Sequence, residues 1–320
     1  NLKPNVVNRM PRQHQWSETY TYDTRGNMTE KTNGWGTITY DYNAENQLTR
    51  AGNRHYTYDK NGNLTTETLN NYQADYEYTP TNRLRQVTTQ TEGFLGDDPT
   101  TLNLGITYTY DPFGRRITRE EIRSLTSEGY IDRSNTRANK TALIYDGLSF
   151  NITEQGTLEK DLNLSLNTWG TSSETYTGIS EYVHANGRIL TEKTATAINY
   201  YSHDSRGSVI LITNMRGKTL VTKDYDAFGR QLQQRGKPEE YIPGGYSMGY
   251  TGKPTDTITG LYNYGFRDYS PVTHRFTTID PIKDGGNWYA YVNNDPVNFV
   301  DLFGLEDSDA NSATKNHLYL

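Results

Sequence analysis

Along much of this chain, apolar and polar residues alternate over short stretches that end in turn residues. In "HYTYDKNGNLTTE", Tyr56 and Tyr58 fall on one face of a strand and His55 and Thr57 on the other, because successive side chains point to opposite sides. Asp59 can then accept hydrogen bonds from backbone amides two residues on, and Gly62 supplies the positive φ that a tight turn needs. Leu64 opens a return strand, so the unit reads as a β-hairpin.

The form recurs in "YTYDTRGNMTE", "ITYDYNAENQLTR", "YEYTPTNRLRQ", "YTYDPFGRRITRE" and "KDYDAFGRQLQQ". Tyr22, Tyr40, Tyr58 and Tyr78 lie 18, 18 and 20 residues apart, one hairpin per step. Such a unit cannot bury its apolar face alone, so neighbours must stack. Three stretches interrupt the series: "GFLGDDPTTLNLGI" (93–106) reads as a loop insertion, and 124–142 and 162–178 read as longer excursions. Regularity returns with "YYSHDSRGSVILIT", and no amphipathic helix longer than a few turns is predicted.

Composition sharpens this picture. Apolar residues make up 33% with 27 tyrosines counted, and exchanging those for the 28 glycines leaves the share below the roughly 45–50% usual for globular domains counted with glycine. A thick apolar core is not expected, and tyrosine suits a thin wall with one end of each ring near water. The net charge of -6 argues against a general nucleic-acid binder. No apolar run is long enough to cross a membrane, and the absence of cysteine removes disulfides, thiolate metal sites and a cysteine nucleophile. The first residues lack the apolar stretch of a signal peptide and a starting Met, which reads as a piece of a longer chain. No cofactor or metal is expected. The six histidines have no metal spacing, "DKNGN" has Asn70 where a calcium loop needs glutamate, and "GKPTD" (252–256) lacks the glycine pattern of a phosphate loop.

The hairpins resemble the tyrosine-aspartate (YD) repeats of the RHS family, which includes bacterial RHS toxins, the C component of insecticidal toxin complexes, and teneurins. Residues 248–305 resemble the RHS-associated core, with a run of tyrosines, the Arg267-Asp268 pair, a downstream Arg-Phe, an Asp-Pro, and an "NNDP…D…GL" close. The resemblance covers nearly all of 15–305. It implies an all-β fold in which stacked hairpins form a spiral sheet or hollow shell, a partial barrel, with an inward-curling C-terminal core plug. Residues 1–235 would form the repeat shell, 236–305 the core, and 306–320 the start of a variable passenger.

In many members the core cuts the chain after its terminal leucine, here between Leu305 and Glu306, where the composition turns abruptly acidic and small. Two carboxylates sharing one proton can hydrolyse a peptide bond, one activating water and the other protonating the carbonyl or the leaving amine. Asp268 and Asp280 match the family's aspartate pair, Asp268 as base and Asp280 as its acid partner, and Arg267 matches the arginine that steadies negative charge. The plain alternative is that both aspartates cap turns. Arg267 and Asp268 would point to opposite faces of an unbroken strand, so their convergence needs a bulge or bend. In the cleavage motif, Gly304 gives a sharp turn and Asp301 is a turn residue or helps position the scissile bond, while Leu302 stands where the family has proline. The implied partners are the chain's own C-terminal passenger and an N-terminal shell or secretion-machinery component. The implied setting is bacterial, secreted or delivered from the cell surface. A second reading is a non-catalytic, teneurin-like adhesion or scaffold module whose outer face binds glycans or a partner protein. Only 15 residues follow Leu305, too few for a folded passenger.

Overall fold

The computed structural model describes residues 17–95, 98–127, 130–161, 178–236 and 246–309. Eighteen strands, from Thr19–Tyr22 to Gln231–Gly236, form one antiparallel sheet in which each strand pairs with the next in sequence. The hairpin turn explains why. Asp59 Oδ1 accepts the amides of Asn61 and Asn63, both at 2.9 Å, and Gly62 sits at φ 80. Asp23, Asp111, Asp204 and Asp226 hold their turns in the same way.

Beside many of these turns the register slips by one residue, at Tyr42, Tyr58, Tyr78, Tyr145 and Tyr225 among others. Such a bulge re-aims the side chain at the strand end. The tyrosine hydroxyls then donate into the wall: Tyr42 to the Met28 carbonyl (2.9 Å), Tyr110 to Leu84 (2.6 Å), Tyr145 to Arg116 (2.6 Å) and Tyr225 to Val209 (3.0 Å). Each acceptor is the first residue of an earlier return strand. These ring ends therefore stitch one hairpin to another where composition had placed them near water.

The expected loop insertion at 93–106 and excursion at 124–142 are instead long hairpins. Strand Leu84–Leu95 pairs with Asp98–Tyr110 as far as Leu95 opposite Asp98, and Arg116–Ser127 pairs with Tyr130–Tyr145 as far as Ser127 opposite Tyr130. Their threonine-rich alternation suits an extended, half-buried strand. Residues 162–177 of the third expected excursion lie outside the described residues.

Five short strands follow, from Tyr246–Met248 to Arg275–Phe276, and a final pair joins Phe299–Asp301 to Asp307–Asp309. This segment contains the dense core that the whole-chain composition did not suggest. Tyr250, Tyr262, Tyr264, Tyr269, Phe276 and Tyr291 are all buried, with ring centroids of neighbours 4.6 to 6.4 Å apart. It seats on the repeat turns: Tyr269 donates to the Phe228 carbonyl (2.7 Å), Tyr289 to Gly62 (2.8 Å), Arg275 to Asn46 (2.8 Å) and Asn294 to Gly26 (2.9 Å). Side chains also join the first hairpin to the last, with Lys31 Nζ 2.8 Å from Asp226 Oδ2 and the Tyr20 ring 5.2 Å from Phe228.

Gly62 serves both the turn and this seating, since a Cβ there would lie 2.6 Å from the Tyr289 hydroxyl oxygen and 2.7 Å from Ile279. Gly62→Ala is expected to destabilise the protein by about 2 kcal/mol, through left-handed strain and overpacking together. Thermal unfolding measures it, and an unchanged midpoint would show that the seat yields freely.

Candidate cleavage site

The site is assembled around Arg267, which ends a tight loop closed by the Tyr264 amide on the Arg267 carbonyl (3.0 Å). Its buried guanidinium lies 3.7 Å over the Phe276 ring. Nε donates to the Gly304 carbonyl at 2.6 Å and Nη1 to the Trp288 carbonyl at 3.0 Å. Nη2 stands 3.4 Å from Asp280 Oδ2 and 3.6 Å from Asp301 Oδ2. One cation thus faces two buried carboxylates and the backbone of the expected cleavage motif.

Asp280 Oδ1 accepts the Ile282 amide at 2.9 Å. Burial raises its pKa above the usual carboxylate range, with Arg267 pulling the other way. Asp301 Oδ1 accepts three successive amides, of Phe303 (3.0 Å), Gly304 (2.6 Å) and Leu305 (3.1 Å). Its pKa is also raised, because burial outweighs Arg267 and those amides. Gly304 is required twice: its φ is 75, and a Cβ would meet the Arg267 backbone nitrogen at 3.1 Å and Tyr264 at 3.2 Å. The Phe303 carbonyl takes the Phe266 amide at 2.9 Å. Among the described residues, no donor reaches the next carbonyl after Gly304, that of Leu305. Leu305 is half-buried and Glu306 exposed, in the loop between the paired residues Asp301 and Asp307.

The structure brings Arg267, Asp280, Asp301, Gly304 and Leu305 together and gives Asp268 a different partner. Arg116 Nη2 donates to both Asp268 oxygens, at 2.9 and 3.0 Å, inside the protein. Arg267 and Asp268 are consecutive but hold different partners, and the short strand that Asp268 opens pairs without a register shift. The acid that accompanies Asp280 on the guanidinium is Asp301, assigned from sequence to a turn or positioning part. Arg116, Trp288 and Asp307 carry no motif that could have marked them. Among the described residues no group of three or more His, Asp or Glu is placed to hold a metal ion.

Asp307 lies just beyond the expected cut and receives Asn293 Nδ2 at 2.6 Å. Burial, then Asp301 and Asp284, push its pKa up to about 6, against Asn293 and Arg267. Because the shift is upward, the closed strand pair favours protonated Asp307. That contribution is complete below the ordinary carboxylate pKa of about 4 and fades as pH rises through the shifted value. Amide protection factors at 307–309 are expected to fall between about pH 4 and 6, and Asp307→Asn should flatten the profile. A parental profile that is already flat would remove Asp307 as the cause.

A family model described as the teneurin YD-shell matches residues 3–147. The tRNA3(Ser)-specific nuclease WapA of Bacillus spizizenii is 31% identical over 208 residues, which is 62% of this chain and 7% of that protein. The Photorhabdus luminescens Tc holotoxin pore, solved with a mutation in TccC3, superposes with a TM-score of 0.53 at 19% identity, covering 92% of this chain and 17% of that one. Residues 3–147 thus match the YD-repeat (RHS) shell family. The TcdB2-TccC3 crystal structure gives the same fold, with a TM-score of 0.52 at 19% identity over 91% of this chain and 17% of that one. This YD-repeat chain therefore spans a small part of the length of the relatives it matches.

Proposed function

We propose that this chain is the C-terminal part of an RHS shell that encloses a passenger and severs its own backbone between Leu305 and Glu306. In this reading 1–235 contribute shell wall, 236–305 the core plug, and 306 onward the passenger. The observation that carries it is the single guanidinium of Arg267, which gathers Asp280, Asp301 and the Gly304 carbonyl one residue before the bond to be cut.

The chemistry is hydrolysis. A water oxygen adds to the Leu305 carbonyl carbon and one carboxylate of the Asp280–Asp301 pair takes its proton. Arg267 balances the negative charge that develops nearby. The other acid gives its proton to the Glu306 nitrogen as the C–N bond breaks, leaving a carboxyl on Leu305 and an amine on Glu306. Burial raises the pKa of both acids, which favours a proton on one of them while the other acts as the base. Asp268, tied to Arg116, fixes the strand that begins at its own position beside Arg267.

Relatives named as a nuclease and as toxin components support a toxic passenger, delivered outside a bacterial cell. A teneurin-like binding module is the second reading, favoured by the family match over 3–147. Intact mass of the purified protein separates them: the first predicts a species ending at Leu305, and persistent full-length chain at several pH values supports the second.

A further inference from the structure

We propose that Lys253 positions the loop carrying the Leu305–Glu306 bond, an inference that deepens the cleavage reading above and rests on it. Three carbonyls in succession precede that bond's own, those of Leu302, Phe303 and Gly304. Gly304 is held by Arg267 and Phe303 by the Phe266 amide. Leu302 is held by Lys253, whose Nζ donates to its carbonyl. With Asp301 gripping the amides of 303–305, Lys253 supplies the grip at the beginning of the loop.

The lysine is delivered from a fixed point. Residues 249–253 form a tight turn, with the Lys253 amide on the Tyr250 carbonyl (3.0 Å) and the Gly249 amide on the Lys253 carbonyl (2.9 Å). That turn is pinned to the repeat wall, since Val209 donates to the Gly249 carbonyl (3.0 Å) and Thr251 to Ser208 Oγ (3.1 Å). The ammonium stands 5.4 Å from the Tyr264 ring centroid and 5.9 Å from that of Phe303, within cation–π range of both. It lines a cavity of about 410 Å³ between wall and core, together with Phe150, Phe266, Phe303 and Leu305. The loop can therefore shift toward open space, and Lys253 opposes that shift through Leu302. Burial draws its pKa down to about 8 while Asp301 pulls it back up. Lysine in the "GKPTD" turn thus has a use unrelated to phosphate.

Asp280→Asn is introduced first to keep the chain whole, and Lys253→Met is then compared with Lys253→Arg in that background and in the cutting background. Met retains length and apolar contact but cannot donate. In the uncut background, amides of 303–305 are expected to exchange about tenfold faster with Met, from loss of one charge-assisted bond, while amides of the Tyr56–Tyr58 strand do not change. In the cutting background, conversion to the Leu305 species should slow about 10- to 100-fold with Met and recover substantially with Arg. Unchanged exchange at 303–305 would overturn the proposal, whether cutting slows or not, because the loop would then not depend on the lysine. If the parent is never cut, the exchange comparison alone decides for or against Lys253, and the failure falls on the cleavage reading.

Discussion

Asp280→Asn is expected to leave the chain at full length under conditions that convert the parent to a species ending at Leu305. Asparagine keeps the volume of the side chain and can still accept the Ile282 amide, so the turn after it should survive. What it cannot do is exchange a proton with water or with the leaving amine. General acid–base assistance contributes about 10² to 10⁴ in rate, so cutting over hours in the parent becomes negligible in the variant. Folding stability should hardly change, because the fold already disfavours the charged form of this carboxyl. Asp268→Asn makes an informative contrast: it withdraws charge from buried Arg116 and so should lower the melting temperature as well as cutting. Intact mass and thermal unfolding on the same samples read both effects. Cutting of Asp280→Asn at the parental rate would remove this residue from the reaction.

The parts of this structure that were legible in the sequence are those whose physics is local. The Asp59 turn closes within four residues, so its aspartate, its glycine and the alternating Tyr56 and Tyr58 declare the hairpin by themselves. The long hairpin around residues 93–106 was hidden by loop-like residues. Gly93 and Gly105 lie in strands with open space where a Cβ would be, and Pro99 sits near the hairpin tip opposite Phe94. The tyrosine hydroxyl stitches depend on register slips that alternation cannot show. At the cleavage loop, family motifs named Arg267, Asp280, Asp301, Gly304 and Leu305, and the coordinates place these side by side. They could not say which acid shares the guanidinium, because Asp268 turns to an arginine 152 residues earlier in the chain. Lys253 went unrecognised for the same reason, its partner being a backbone carbonyl 49 residues later.

Asp256→Ala is expected to cost about 3 kcal/mol of stability, the low end for breaking a buried ion pair. Asp256 is fully buried where the core meets the wall: Arg119 Nε lies 2.6 Å from its Oδ2, and the Tyr108 hydroxyl donates to the same oxygen at 2.8 Å. Its own turn also depends on it, through the amides of Ile258 (2.9 Å) and Thr259 (3.2 Å). Burial opposes its ionisation, but Arg119 and these donors hold its pKa below the ordinary value. The sign follows: the stabilisation is present above the unfolded carboxylate pKa of about 4 and is lost as pH falls through the lower folded value. Denaturant unfolding of parent and variant should therefore differ most near neutrality and converge in strong acid. Adding Arg119→Met to Asp256→Ala should recover part of the loss, since most of the penalty comes from leaving a guanidinium in a low-dielectric interior with fewer acceptors. A single-variant loss under 1 kcal/mol, or a double variant worse than the single, would mean that this pair does not secure the core to the wall. The core would then owe its placement to its other contacts with the wall, those of Tyr269, Tyr289, Arg275, Asn294 and Asp268.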